Sequence, residues 1–255
     1  MEKRFLYMTI AAVLVPALLA GLVQGVTGFG AGVLLMLFYP LLFPVAQSSA
    51  MSQCLCTVLC LSVLLRYRRS IQFRHCLLPL VFYFPCYFLA LQQAVSMNTD
   101  ALKPVLGLFL VVLSVFLLYG SERIHIRAGV ASAFVCAALG AVVDAFFGIG
   151  GPTLVVYFMA ILPDKREYLG TIQCFFFTTN LYGALMRFWK GQLTPDLLPL
   201  LALAAVALLV GAALGGKVVD KIDTTRLKLC VYGFIGVAGL ITIATNWQSL
   251  AALVG

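Results

Sequence analysis

The sequence predicts an all-α polytopic integral membrane protein built from two homologous halves. Three observations carry this: an apolar composition, a series of long apolar blocks, and a self-match at an offset of about 120 residues. Of 255 residues, 63% are hydrophobic and 10% charged, and the mean hydropathy is +1.06. A soluble domain usually carries about 25% charged residues. This chain lacks the polar groups to cover itself in water, so its solvent is largely lipid.

The apolar blocks run at about 5–43, 45–65, 75–94, 104–119, 128–162, 168–186, 197–215 and 229–246. Each is close to or beyond the roughly 20 residues that span a bilayer as a helix. In hydrocarbon only helices and closed barrels satisfy the backbone, and these blocks lack the alternation of barrel strands. The N-terminal run continues past any plausible signal-peptidase site and reads as retained. The formal charge of +8 does not point to nucleic acid. The basic residues sit in short loops such as Arg66–Arg69 and Lys217–Lys228, as interfacial anchors and cytoplasmic loops do. Cys54, Cys56, Cys60, Cys76, Cys86, Cys136, Cys174 and Cys230 lie within apolar blocks, without metal-ligand spacing, and read as small apolar residues. Neither a cofactor nor a metal is expected.

Shifting the chain by 120 positions superposes Gly28 on Gly148, Gly30 on Gly150, Gln53 on Gln173, Cys54 on Cys174 and Pro79 on Pro199. The expected repeats are residues 1–120 and 121–255, joined by the polar linker Gly120–Arg127. Each opens with a long block interrupted by glycine and continues with three ordinary spans.

In the first long block, Tyr7–Leu22 and Ala31–Phe43 flank the interruption and reach only about 20–24 Å. The block either crosses once as a broken helix or enters and leaves as a re-entrant hairpin. One crossing makes the repeats parallel; a hairpin inverts them. The better single-crossing orientation puts ten basic residues inside and seven outside, whereas a hairpin orientation puts twelve inside and five outside. The charge rule leans towards the hairpin and an inverted repeat, a common plan for secondary transporters.

A helix broken inside the membrane needs a reason, because unpaired amides in hydrocarbon cost several kcal/mol each. A new helix start presents free N–H groups and the positive end of the helix dipole, a ready anion site. The first phrase, "GVTGFGAG" (Gly25–Gly32), supplies Thr27 as a hydroxyl donor and Gly28, Phe29 and Gly30 at the break. The second, "FGIGGP" (Phe147–Pro152), supplies Gly148, Gly150 and Gly151, with Pro152 suited to a first helical turn. The competing reading is close helix packing through small residues. Two matched phrases favour binding, since each has a polar residue four positions before its first aligned glycine, Gln24 before Gly28 and Asp144 before Gly148.

Asp144 follows fourteen apolar or small residues, Val130–Val143, and an ionisable group at that depth is a functional hypothesis by default. A carboxyl that gains and loses a proton would couple transport to a proton gradient. A structural partnership for the same carboxyl weighs equally, because a permanent carboxylate repels an anion. Gln53, Gln173 and Asn180 are uncharged groups at span depth that serve either a ligand or an interhelical bond. Arg66 and Arg187, at span ends, read as interfacial anchors; His75 and His125 read as bystanders, and Phe175–Phe177 as a lipid-facing or packed surface.

Together "GLVQGVTGFGAG" (Gly21–Gly32), "GIGGPTLVVY" (Gly148–Tyr157) and "LPDKREYLGTIQCFFFTTN" (Leu162–Asn180) resemble the sulfite exporter TauE/SafE family over nearly the whole chain. The resemblance implies a bacterial inner-membrane permease for small sulfur anions, such as sulfite or organosulfonates like sulfoacetate, with no prosthetic group. It maps Gly28, Gly30, Gly148, Gly150, Gly151 and Pro152 onto the glycine-rich motifs and Asn180 onto a polar position of the second half. Two departures stand beside the expected site: Thr153 replaces a second proline and adds a hydroxyl, and Asp144 stands where a small residue is usual.

The expected activity is therefore secondary transport of a small anion, with export favoured, and not enzymology. Its partners are that anion and the lipid bilayer, while the oligomeric state is not legible. An anion channel is the first alternative. An intramembrane enzyme is a distant second, since no nucleophile–base or metal grouping accompanies Asp144.

Overall fold

A computed structural model describes residues 2–97, 99–120, 129–218 and 224–246. Apart from Gly120, the expected linker Gly120–Arg127 lies outside these residues, as does His125. The described residues are mostly helical, with no strand among them. The helices are α1 (Glu2–Thr27), α2 (Ala31–Phe38), α3 (Val45–Tyr67), α4 (Phe73–Ser96), α5 (Thr99–Val115), α6 (Val130–Phe147), α7 (Gly151–Ile161), α8 (Lys165–Trp189), α9 (Leu198–Val218) and α10 (Thr224–Thr245). Six of them, α1, α3, α4, α5, α6 and α9, are long and apolar enough to cross a membrane. With 8 and 11 residues, α2 and α7 reach only about 12 and 17 Å, far short of the roughly 30 Å hydrocarbon core.

One expectation about length fails. The first arm does not stop near Leu22; α1 continues to Thr27 and is long enough to span by itself. Glycine and threonine weaken an isolated helix, but here both are held. Gly25 lies against the Ala212 backbone, where a Cβ would come within 2.4 Å of the carbonyl oxygen. The Thr27 hydroxyl donates to Val23 O at 2.8 Å, one turn back, so it stays satisfied inside the helix.

Packing interleaves the two parts of the chain. α1 lies along α9, α6 along α4, α3 along α8 and α5 along α10. The α1–α9 contact is made through glycines: Gly21 and Gly25 face Leu208 and Ala212, while Gly211 and Gly215 face Leu18 and Leu22. Any Cβ at these four glycines would stand 2.0–2.4 Å from a facing carbonyl oxygen. Two small-xxx-small ridges thus let the backbones touch, which is how helices gain van der Waals contact where lipid supplies no hydrophobic drive. These pairings rise together along both chains, so α1 and α9 run parallel.

α5 and α10 run antiparallel, since Gly107 meets Gly239 and Ile243 while Ser114 meets Gly236. α3 and α8 also run antiparallel. Gln53 packs on Gly183, and at the other end Gly170 packs on Tyr67 and Ser70. Gln72 then ties the connection after α3 to the start of α8, donating from its amide to Glu167 Oε1 at 2.8 Å and from its backbone to Thr171 Oγ1 at 2.9 Å.

Candidate functional site

α1 ends at Thr27 and α2 begins at Ala31; between them Gly28 and Gly30 have φ of +83° and +102°. α6 ends at Phe147 and α7 begins at Gly151, with Gly148 at φ +67°. Those values lie in the left-handed region that glycine enters without steric penalty. At both places the glycine N–H still closes the preceding helix, Gly28 N on Gln24 O and Gly148 N on Asp144 O, each at 2.8 Å.

The two stretches meet. A Cβ on Gly32 would stand 3.2 Å from Gly148 O, and one on Gly148 would stand 3.2 Å from Ser49 O. Between them lies a cavity of about 60 Å³. A buried water needs about 10–15 Å³ on this measure, so the space suits about four waters or one small polyatomic ion. Phe29, Gly30 and Gly32 form one wall, and Gly148, Gly150, Gly151 and Pro152 the other. Gln24, Asp144 and Asn180 reach it from α1, α6 and α8, and Cys56, Cys60, Tyr83 and Thr179 complete the polar lining.

Gln24 and Asp144 perform the same task at matched positions. Gln24 Oε1 accepts from the N–H of Ala31 at 3.1 Å, and Asp144 Oδ1 accepts from the N–H of Gly150 at 3.0 Å. Each caps the short helix that follows its own, satisfying an amide otherwise orphaned in an apolar interior. Gly150 must be glycine for this: a Cβ there would lie 2.8 Å from Asp144 Cβ. The other carboxyl oxygen, Asp144 Oδ2, accepts from the Tyr83 hydroxyl. Tyr83 is itself buried, stacked on Tyr87 with centroids 5.8 Å apart and set edge-on to Phe175 at 5.5 Å.

Arg187 overturns its expected place. It is 1% exposed and anchors nothing at the interface. Its guanidinium donates to the backbone carbonyls of Asp144, at 3.2 Å, and Ala145, to Gln53 Oε1 at 3.1 Å and to Gln192 Oε1 at 2.7 Å. A planar fork of donors beside the last carbonyls of α6 matches their partial negative charge. Gln53, 0% exposed, also donates from Nε2 to the Tyr87 hydroxyl at 3.1 Å.

The remaining candidates divide. Gln53 and Gln173 stay outside the cavity. Gln173 donates to Gly28 O at 3.3 Å, bracing the first break, while its buried Oε1 has no hydrogen-bond partner among the described residues. Thr27 faces a smaller neighbouring cavity and bonds Val23 O and Phe29 O. Thr153 donates to Cys136 O at 3.2 Å. The Asn180 amide donates to Phe176 O at 2.8 Å. Phe175 and Phe176 are buried and Phe177 is half-buried, so that run is packed rather than lipid-facing; His75 is exposed in the first turn of α4.

Tyr83, Tyr87, Cys56 and Cys60 were not distinguishable in the sequence. Tyr83 and Tyr87 are spaced i, i+4 on one helix face, which marks packing as readily as function. Buried cysteine is ordinary in an apolar span.

No curated protein and no solved structure matches the chain. The family model described as sulfite exporter TauE/SafE matches residues 13–242, in accord with the glycine phrases at the centre of the fold, and the chain belongs to that family.

Proposed function

We propose that this protein is a secondary transporter, working as an exporter, of small sulfur-containing anions such as sulfite or sulfoacetate, held at the cavity between the two helix starts. The observation that carries the reading is the convergence of both glycine stretches on one buried space. There the starts of α2 and α7 bring backbone N–H groups and positive dipole ends to the same cavity. Such a space fits one oxyanion or sulfonate head. Gln24, Asn180 and Thr179 supply neutral polar atoms around it, and Asp144 is the group that takes up the coupling proton.

The reading extends to architecture: two repeats, 1–120 and 121–255, inverted with respect to each other. The antiparallel courses of α3 with α8 and of α5 with α10 support this. Were α6 and α7 together one crossing, three crossings (α4, α5 and α6–α7) would separate α3 from α8 and the two would run parallel. A unit that returns to its own side makes them antiparallel. The Gln72–Glu167 bond, which joins the connection after α3 to the start of α8, agrees. A bacterial inner-membrane location follows the family's habit.

Proteoliposomes loaded with sulfite, sulfoacetate or taurine test the function, with and without a pH gradient. Wild type should move one of these anions and respond to the gradient, while Asp144→Asn should retain only gradient-independent exchange. An Asp144→Asn protein equal to wild type in every condition would remove Asp144 from coupling. Absence of flux for every anion would remove the substrate class.

A further inference from the structure

The two short-helix caps differ in one chemical respect. Gln24 is neutral at every pH, whereas Asp144, at the matched position, carries a charge that a proton removes. Both side chains are buried and both line the cavity. We infer that the Asp144 carboxylate and the transported anion compete for one seat, the start of α7, so that the anion is admitted only after Asp144 takes up a proton. This rests on the reading of the cavity as an anion site and adds to it the rule by which the site is filled.

With Asp144 ionised, Oδ1 occupies the Gly150 N–H and Oδ2 the Tyr83 hydroxyl. The donors that an oxyanion would use on that wall are then engaged by the protein's own anion. A second negative charge beside it, in a space of only about 60 Å³, meets like-charge repulsion at close range. Protonation removes the charge and weakens the claim on both donors. In its charged form Asp144 thus plugs the site with the protein's own carboxylate.

The ionisable groups around the carboxyl do not offer another proton carrier. Arg187 of α8 touches the Asp144 backbone, not its carboxyl. Tyr83 and Tyr87 of α4 and Cys56 and Cys60 of α3 are phenols and thiols, whose ordinary titration lies above neutral pH. α2 brings no ionisable residue. The opposite cap, Gln24, keeps α2 closed without a charge, so one proton accompanies one anion. Linkage makes the effect reciprocal: an anion that binds the protonated form must draw a proton in with it.

Sulfoacetate binding to the purified protein, followed by calorimetry from pH 5.5 to 8, tests this, because the charge of that ligand is constant over the range. Over the part of the range where Asp144 is ionised, the wild-type Kd should weaken about tenfold per pH unit, the slope for one linked proton. In unbuffered solution the protein should take up one proton per anion bound. Asp144→Asn should bind with a pH-independent Kd and no proton uptake. Gln24→Glu, which places a second carboxyl at the matched cap, should steepen the slope towards about a hundredfold per unit. Asp144→Ser provides a neutral acceptor if the asparagine variant does not fold. A wild-type Kd flat with pH, with no proton uptake, overturns the competition while leaving the anion site standing. No binding by wild type or by either neutral variant at any pH overturns the anion site itself.

Discussion

At the residue scale the polar interior is one connected arrangement. Asp144 faces the cavity with its carboxyl and presents its backbone carbonyl to Arg187 on the other side. A guanidinium at 1% exposure has no water to fall back on. Removing it strips donors from two α6 carbonyls, from Gln53 and from Gln192 at once. Arg187→Ala should therefore cost about 3–5 kcal/mol, the range for breaking a buried charged network, read as a fall in unfolding midpoint in detergent. Arg187→Lys should recover only part of the loss, because a single ammonium cannot reproduce the fork. Since Gln53 shares the network, Arg187→Ala and Gln53→Ala together should cost less than the sum of the two alone.

Asp144 was legible as unusual in the linear chain, because an acid after fourteen small or apolar residues is rare enough to notice. Arg187 was not, since its position near the end of a span is also where anchors sit. Only the approach of α6 and α3 shows that this end of α8 points inward.

At the element scale, glycine does two separable jobs. Gly30 has φ +102° and nothing within 4 Å of a Cβ position, so its role is conformational. Gly148 has φ +67° and also faces Ser49 O at 3.2 Å. Gly30→Ala should cost about 1–2 kcal/mol, the penalty of a left-handed L-residue, and Gly148→Ala should cost more. The α1–α9 ridge is a matter of distance instead. Gly21→Val and Gly211→Val drive side chains into backbone at 2.0 and 2.1 Å, and each should exceed the ~1–3 kcal/mol typical of overpacking. Gly216→Ala, on the same helix with nothing within 4 Å, should be neutral or gain a few tenths of a kcal/mol from helix propensity. Thermal unfolding of the five variants side by side separates these cases. The glycine phrases were legible as unusual, because paired glycines inside long apolar blocks have few other uses. The length of α1 was not: Gly25 and Thr27 weaken a helix locally, and the contact with α9 that holds them comes from some 190 residues further along the chain.

At the scale of the whole molecule, the proposed inverted repeats predict sidedness. Cysteines placed at Arg68, Lys165 and Lys217, in a background without the native cysteines, should react with a membrane-impermeant maleimide from the same side. Cysteines at Lys103 and Lys190 should react from the other. Lys165 reacting opposite to Arg68 would restore the single crossing and parallel repeats. Each short helix starts inside the protein, so the two starts face one shared interior space and not two separate surfaces.

Composition and block length by themselves determined that the chain lives in lipid and is helical, because the cost of unpaired backbone in hydrocarbon leaves no other choice for such blocks. The glycine phrases marked two stretches where backbone conformation is special, since that is a local property, but not where α1 ends. The tertiary structure alone decided which polar groups meet. It turned Arg187 inward, gave Asp144 a tyrosine, sent Gln53 away from the cavity, and laid α1 against α9. Those outcomes depend on the relative placement of helices remote in sequence. Hydrocarbon rewards all apolar faces nearly alike, so periodicity within one helix does not select its neighbour.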